Sequence, residues 1–242
     1  MKLAAITGVV VLSMLIADCG GGGSDATAAP VTYDFPAPQA NSERIYSRVI
    51  IDNANNTIDE TVDDKVTIVN ADGTYVVMED DPTHTSVTFG GTTYSVLTEN
   101  VNVNGSGQST SYSFTAANGN TGTCTYNPHG VGPDFPVTVG TTWSLAYTFA
   151  CGNNVPVSYM QTGSVVDVET ITVPAGTYST LKLNSTVQWT DANGTTHTQT
   201  VSNWRDINTM ISVKEVVSIA YSGTMPTNGY PVSSESTLQS AS

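Results

Sequence analysis

The residue types that most often carry catalysis are few in this sequence and show no catalytic spacing. Its three histidines are His84, His129 and His197. The first and last lie in Thr-rich strand patterns, where a solvated side chain is expected. A Ser–His–carboxylate hydrolase needs its serine on a sharp turn, and no G-x-S-x-G elbow occurs in the chain. We therefore predict no catalytic residue and no enzyme activity.

Carboxylates are the second set of residues that can do chemistry. They gather in two groups, which are Asp59, Glu60, Asp63 and Asp64 and then Glu79, Asp80 and Asp81. Paired carboxylates can act as acid and base, and several together can bind calcium. Neither group has the spacing of a calcium loop, and Asp-rich hairpin ends are commonly solvated turns. The sequence predicts solvated turns and neither metal nor cofactor; weak calcium binding and acid–base catalysis are the alternatives.

Aromatic side chains are the third set. Trp143, Trp189 and Trp204 can stack on a sugar ring or seat an apolar ligand if they are exposed on a sheet. Strand alternation also allows each of them to point inward, so core packing is the other interpretation. We retain the three tryptophans as candidate ligand contacts.

Composition limits the partners and the fold class. The 242 residues include 7 Lys and Arg against 21 Asp and Glu, a formal charge of −14. No basic cluster is available to meet phosphates, so nucleic acid is not expected as a partner. Charged residues make up only 12% of the chain, and Thr, Ser, Asn and Gly take their place. This composition favours an all-β protein outside the cytoplasm.

The elements that must position these residues are strands. Apolar and polar residues alternate from Ser42 onward, and turn pairs such as Asp72-Gly73 and Gly90-Gly91 join consecutive strands. The predicted strands cover residues 44–52, 62–69, 74–78, 83–89, 92–98, 109–115, 121–126, 143–151, 155–168, 170–173, 178–190, 195–204, 211–221 and 233–238. No segment has helical periodicity. We predict an antiparallel meander that forms a curled sheet, half-barrel or open barrel, with a β-sandwich as the alternative.

The N-terminal residues resemble the export signal of bacterial lipoproteins. Lys2 precedes an apolar run, Leu3–Ala17, that is shorter than the roughly 20 residues of a membrane-spanning helix. The run leads into L-I-A-D-C, which is similar to a lipobox whose cysteine, here Cys19, is lipidated. Asp18 stands where a lipobox usually has a small residue. Ordinary signal cleavage after Ala28 is the alternative.

This resemblance implies the organisation of the chain. It consists of a signal peptide (1–18), a lipidated cysteine with a flexible tether (19–41) and a single all-β domain (42–240) with a possible internal boundary near 130. The residue after Cys19 is not Asp, so the resemblance implies the outer membrane; a secreted protein is the alternative. If Cys19 carries lipid such as palmitate, Cys124 and Cys151 remain as an even pair. In an oxidising compartment that pair predicts a disulfide.

Residues 133–240 resemble the DUF3108-like family of bacterial periplasmic proteins and lipoproteins. The resemblance rests on F-P-V-T-V-G-T-T-W at 135–143, on E-T-I-T-V-P-A-G-T-Y at 169–178 and on V-K-E at 213–215. It implies an antiparallel sheet wrapped into a half-barrel whose concave face can enclose an apolar cavity. Within the second motif lies a candidate signature turn of the fold, consisting of Val173, Pro174, Ala175, Gly176, Thr177 and Tyr178. Proline fixes φ and glycine permits a conformation closed to other residues, so this turn is interpreted as structural.

These observations predict a non-enzymatic outer-membrane lipoprotein with a binding or envelope-structural role. One alternative is a carrier or sensor of a hydrophobic ligand held in a half-barrel cavity. The other is a glycan-binding or adhesin-like surface module. The expected partners are the membrane, through the N-terminal lipid, and a hydrophobic ligand or glycan.

Overall fold

Thirteen antiparallel strands make up the described part of the chain. A computed structural model describes residues 29–80, 86–89, 92–116, 118–192, 194–223 and 231–242. The strands are β1 (Glu43–Asp52), β2 (Thr57–Val69), β3 (Tyr75–Asp80), β4 (Ser86–Phe89), β5 (Thr92–Val103), β6 (Ser109–Ala116), β7 (Thr121–Asn127), β8 (Thr142–Cys151), β9 (Val157–Val173), β10 (Gly176–Thr190), β11 (Thr196–Asp206), β12 (Ser212–Ser222) and β13 (Pro231–Ala241). Three candidates from the sequence, Cys19, Asp81 and His84, lie outside the described residues.

The sheet closes on itself. Consecutive strands pair, except for β3 and β4. The first part of β5 pairs with β4 and its last part with β3, and β13 pairs with β1. Twelve of the thirteen strands, all but β4, therefore form a closed antiparallel barrel. The predicted all-β meander is confirmed. Its closure has no local signal in the sequence, because the β1–β13 pairing joins distant parts of the chain.

Several strands, among them β2, β5 and β9, extend beyond their predicted limits. β2 begins at Thr57 rather than Val62, and β9 continues without a break through Glu169. In β2 the inward positions include Glu60, which is buried, and Asp64, so charged residues hide the alternation that marks a strand. The prediction of solvated turns at residues 59–64 and 79–80 is wrong for this reason: these residues lie in β2 and β3.

One end of the barrel is filled by the N-terminal segment and by the connection between β7 and β8. Tyr33 forms an isolated β-bridge with Val137, which is only 1% exposed. Phe35 packs on Tyr75 and Phe135, with ring centroids 6.5 and 5.4 Å apart. The segment that the sequence analysis places in the tether is therefore held against the barrel from Tyr33 onward.

The V-P-A-G-T-Y element forms the tip of the β9–β10 hairpin. Gly176 has a φ of 141° and is paired with Val173 across the turn. The side chains of the tip pack against a buried cluster made of Tyr46, Val62 and Leu238. The turn thus contributes apolar packing between the hairpin and β1, β2 and β13.

Glycines on the inner wall make room for aromatic rings. Trp143 on β8 is paired with Gly163 on β9, and a Cβ atom on Gly163 would overlap the indole ring. Gly122 is paired with Phe114 in the same way, and a Cβ atom on Gly122 would overlap the Phe114 ring. These glycines are required by the close approach of a ring and not by a left-handed backbone.

Substituting Gly163 tests this packing. We expect Gly163→Ala to lower the free energy of unfolding by about 2 kcal/mol, because the added methyl group must displace a ring in a packed interior. Chemical denaturation monitored by tryptophan fluorescence measures the loss. Gly105→Ala is the matched control, since no heavy atom lies closer than 3.7 Å to its added Cβ. Equal losses in the two variants would contradict the proposed contact.

Candidate ligand-binding site

A continuous band of aromatic rings lines the inside of the barrel wall. Successive ring centroids lie between 4.6 and 6.4 Å apart. The band comprises Tyr112, Phe114, Tyr126, Tyr147, Phe149, Tyr159, Trp189, His197 and Tyr221. Its members come from every strand between β6 and β12, and we call them the aromatic band.

Strand register explains why these rings meet. Tyr147 is paired with Tyr159, Tyr159 with Trp189, and Trp189 with His197. Directly paired residues point to the same face of a sheet and have their Cβ atoms about 5 Å apart, so rings at these positions come into contact. The rings of Trp189 and His197 are stacked at 4.6 Å with an interplanar angle of 8°.

An apolar cavity of about 300 Å³ lies against the aromatic band. Five rings of the band line it, together with Ser109, Gly130, Val131, Val187 and Gln199. None of the residues that line this cavity is charged. Val131 is 53% exposed, so the cavity reaches the surface beside the β7–β8 connection.

Burial keeps four tyrosines of the band neutral, namely Tyr112, Tyr126, Tyr147 and Tyr159. Burial raises the pKa of Tyr126 to about 12, and the nearby Glu99 carboxylate contributes to the rise. Burial also raises the pKa of Tyr112 and of Tyr147. The apolar cavity therefore offers ring faces and protonated hydroxyl groups to a ligand across the physiological pH range.

A central cavity of about 160 Å³ continues from the apolar cavity, with which it shares Val131 and Gln199. Trp143 lines it, and the Trp143 Nε1 atom is buried without a hydrogen-bond partner. Gln161, only 1% exposed, accepts a hydrogen bond from the Gly132 backbone N–H at 3.1 Å, which holds the β7–β8 connection in the interior.

A polar cavity of about 190 Å³ lies beyond the central cavity. Asn203, Arg205 and Glu215 line both cavities, so the two are contiguous. The other residues around the polar cavity are Tyr46, Arg48, Val62, Asp64, Glu79, Ser212 and Ser236. The interior of the barrel is thus apolar at one side and charged at the other.

Ion pairs organise the charged side. Arg48 Nε lies 2.7 Å from Glu60 Oε2, and Arg48 Nη1 lies 3.6 Å from Glu79 Oε1. Burial, followed by the repulsion of the Glu79 carboxylate, raises the pKa of Asp64 to about 7. Carboxylates that the sequence analysis placed in solvated turns are therefore part of an interior charge network.

The three candidate tryptophans are not brought together. Trp143 and Trp189 face the interior, whereas Trp204 lies on the outer face of β11. Trp204 Nε1 donates to Glu169 Oε2 at 2.9 Å, and Lys182 Nζ lies 4.9 Å from the centre of its ring. Hydrogen bonding to Trp204 and then to Lys182 lowers the pKa of Glu169. The sequence missed the tyrosines of the band, which only the strand register brings together.

The cysteines and histidines among the described residues have defined places. The predicted disulfide between Cys124 and Cys151 is confirmed, and it joins directly paired residues of β7 and β8. The prediction of a solvated His197 is wrong, because its side chain is stacked in the band and is only 3% exposed. His197 Nε2 lies 3.1 Å from Asp191 Oδ2. His129 Nδ1 lies 2.8 Å from the carbonyl oxygen of Gly130.

Comparison with known protein families finds no match to this chain, and no curated protein matches it in sequence. The DUF3108-like resemblance is therefore not confirmed. A solved structure from Bacteroides fragilis, assigned as an exported protein with a YmcC-like fold, is 12% identical with a TM-score of 0.47 and covers 88% of this chain and 100% of its own. A structure from Parabacteroides distasonis, assigned as a lipoprotein, is 12% identical with a TM-score of 0.43 and covers 87% of this chain and 99% of its own.

Two further observations concern the described residues only. Among them, no three His, Cys, Asp or Glu side chains are grouped so that they could hold a metal ion. Within the same part of the chain, no helix has the length and apolar character needed to span a membrane.

The raised pKa of Asp64 predicts a pH dependence of stability. The folded protein holds a proton on Asp64 between about pH 4 and pH 7 that the unfolded chain has released, so the free energy of unfolding falls as pH rises through this window. Over these three pH units the decrease is on the order of 4 kcal/mol, and we expect Asp64→Asn to abolish it. Urea denaturation from acid to neutral pH measures it.

The control for this prediction is Asp59→Asn, on the exposed face of the same strand. Its pH profile is expected to follow that of the unsubstituted protein. Parallel profiles for Asp64→Asn and the unsubstituted protein would show that Asp64 does not carry the buried proton.

Proposed function

We propose that this protein is a non-enzymatic lipoprotein of the bacterial outer membrane that binds a hydrophobic ligand inside its barrel. The apolar cavity carries the proposal. Five aromatic rings wall it, none of its lining residues is charged, and it reaches the surface at Val131. Binding sites for small molecules are typically concave, aromatic-lined and provided with a few polar groups, here the tyrosine hydroxyls and Gln199.

The size of the apolar cavity limits the ligand. A volume of about 300 Å³ suits a single ring system or a short alkyl chain. Each methylene group that leaves water for this cavity contributes about 0.8 kcal/mol to binding. Flat ring systems gain in addition from stacking on the rings of the wall.

The placement of the tryptophans favours an interior ligand over a surface glycan. Trp143 and Trp189 line interior cavities. Trp204, on the outer face, is already engaged by Glu169 and Lys182. A glycan-binding surface would need exposed ring faces, which these three residues do not supply.

The proposed attachment to the outer membrane is inferred from the N-terminal sequence. An apolar run of export-signal length leads into L-I-A-D-C, so Cys19 is the proposed site of lipid attachment. The described disulfide agrees with an oxidising compartment.

A neutral fluorescent probe tests ligand binding. We expect N-phenyl-1-naphthylamine to gain fluorescence with the protein and to quench Trp189, which lines the apolar cavity. Val187→Phe should weaken this binding about tenfold, because the buried Val187 side chain lines the cavity and the larger ring would fill it. Fluorescence titration of the full mature chain measures both effects.

The matched control places the same new ring outside the barrel. Gln188→Phe changes the neighbouring residue, whose side chain is exposed, and should leave the titration unchanged. If the probe gains no fluorescence, or if Val187→Phe and Gln188→Phe titrate alike, the apolar cavity is not the binding site.

Lipid attachment has its own test. Metabolic labelling with an alkyne fatty acid should mark the protein in bacterial cells, and Cys19→Ser should abolish the label because the acylated thiol is lost. The label is read by gel fluorescence after coupling to a dye. A mature N-terminus that begins with a free Ala29, measured by mass spectrometry, would contradict lipidation and support simple secretion.

A further inference from the structure

Asn203, which lines the polar cavity, has a hydrogen-bond acceptor without a partner. Asn203 is 8% exposed, and its Nδ2 atom donates to Glu215 Oε2 at 2.6 Å and to Ser212 Oγ at 3.2 Å. These two bonds fix the orientation of the amide. The Asn203 Oδ1 atom is buried and has no hydrogen-bond partner. Leaving such a group unsatisfied is costly, so a ligand that donates a hydrogen bond here gains affinity.

A second acceptor faces the same cavity. Asp64 Oδ1 is also buried without a hydrogen-bond partner, and Asp64 lines the polar cavity together with Asn203. Asn203 Oδ1 can only accept a hydrogen bond, and Asp64 Oδ1 accepts one when its carboxylate is ionised. The missing group must therefore be a donor.

The charges around the cavity favour a positively charged donor. The residues that line it include three carboxylates, Asp64, Glu79 and Glu215, against two guanidinium groups, Arg48 and Arg205. The interior is thus negative when all of them are ionised. Because buried charges must be balanced, a cationic ligand is favoured over a neutral one.

We propose that the polar cavity binds the ammonium group of a primary amine. An ammonium group brings one positive charge and three N–H donors, which can satisfy Asn203 Oδ1 and Asp64 together. The inference rests on the proposed function in one respect. The polar, central and apolar cavities are contiguous, so a ligand with an amine at one end and an apolar body at the other would occupy them together.

Amine binding displaces the proton that Asp64 holds. The charged amine and the neutral Asp64 carboxyl group give a complex with ionised Asp64, and one proton passes to the solvent. The groups that face Asp64 or lie next to it are Arg44, Tyr46 and Arg48 on β1, Glu60 and Asp63 on β2, Glu79 on β3, Arg205 on β11 and Glu215 on β12. Affinity therefore rises with pH through neutrality, while an alkyl amine stays protonated.

Three small probes of equal chain length separate charge from hydrogen bonding. Isothermal titration of the full mature chain compares n-butylammonium with 1-butanol, which is neutral, and with trimethylbutylammonium, which is charged but has no N–H donor. We expect n-butylammonium to bind at least about tenfold more tightly than either of the others. It should also release a proton, seen as a dependence of the measured heat on the buffer.

Two variants assign the binding to this cavity. Asp64→Asn should weaken n-butylammonium binding about tenfold and abolish the proton release, while Asp59→Asn on the exposed face of β2 should change neither. Thermal melts confirm that both variants are folded. If Asp64→Asn fails to fold, Glu215→Gln takes its place, since Glu215 lines the same cavity and fixes the Asn203 amide.

The outcomes separate this inference from the proposed function. Equal binding of n-butylammonium and 1-butanol, no saturable binding of n-butylammonium, or unchanged binding in Asp64→Asn each overturns the amine site. The naphthylamine titration then still tests the apolar cavity by itself. A protein that binds n-butylammonium but not the naphthylamine probe keeps the amine site and loses the hydrophobic one.

Discussion

The pairing of β1 with β13 is the constraint on which the rest of the structure depends. It gives each of these strands the hydrogen-bonding partner that an edge strand lacks, and it closes the sheet. Alternate residues of every strand then have only the enclosed interior to face. A ring of twelve strands encloses more space than its own side chains fill, and the segment around Phe35 and the β7–β8 connection pack into it. The cavities are what remains.

Arginine and lysine side chains lie on opposite faces of the barrel wall. The three arginines lie on inward positions beside carboxylates, while the lysines of the described residues, Lys65, Lys182 and Lys214, lie on outward positions. A guanidinium group is less strongly hydrated than an ammonium and presents several fixed donors, so it tolerates an interior place better. Two of the outer lysines form ion pairs, Lys182 with Glu169 at 3.0 Å and Lys214 with Glu235 at 2.7 Å.

The sequence predicts the local features of this fold and not the ones that depend on distant pairing. Alternation locates most strands, and the redox argument identifies the Cys124–Cys151 bridge. Charged residues at inward positions of β2 interrupt the alternation of apolar and polar residues. The sequence analysis therefore places Glu60 and Asp64 wrongly in turns. His197 is wrongly placed in solvent because its stacking partners lie on neighbouring strands. The aromatic band and its cavity follow from register, which no local pattern gives.

The closure of the sheet also fixes the order in which the barrel can be completed. β1 pairs with β2 through nearby residues, but its other edge has no partner until β13, far along the chain, has been made. Contacts between such distant segments form slowly, and an exposed strand edge meanwhile invites pairing with other chains. Until this pairing forms, β1 and β13 each present one unpaired edge. Glu43, Arg44 and Arg48 of β1 carry charge along that unprotected edge, and charge of this kind opposes aggregation.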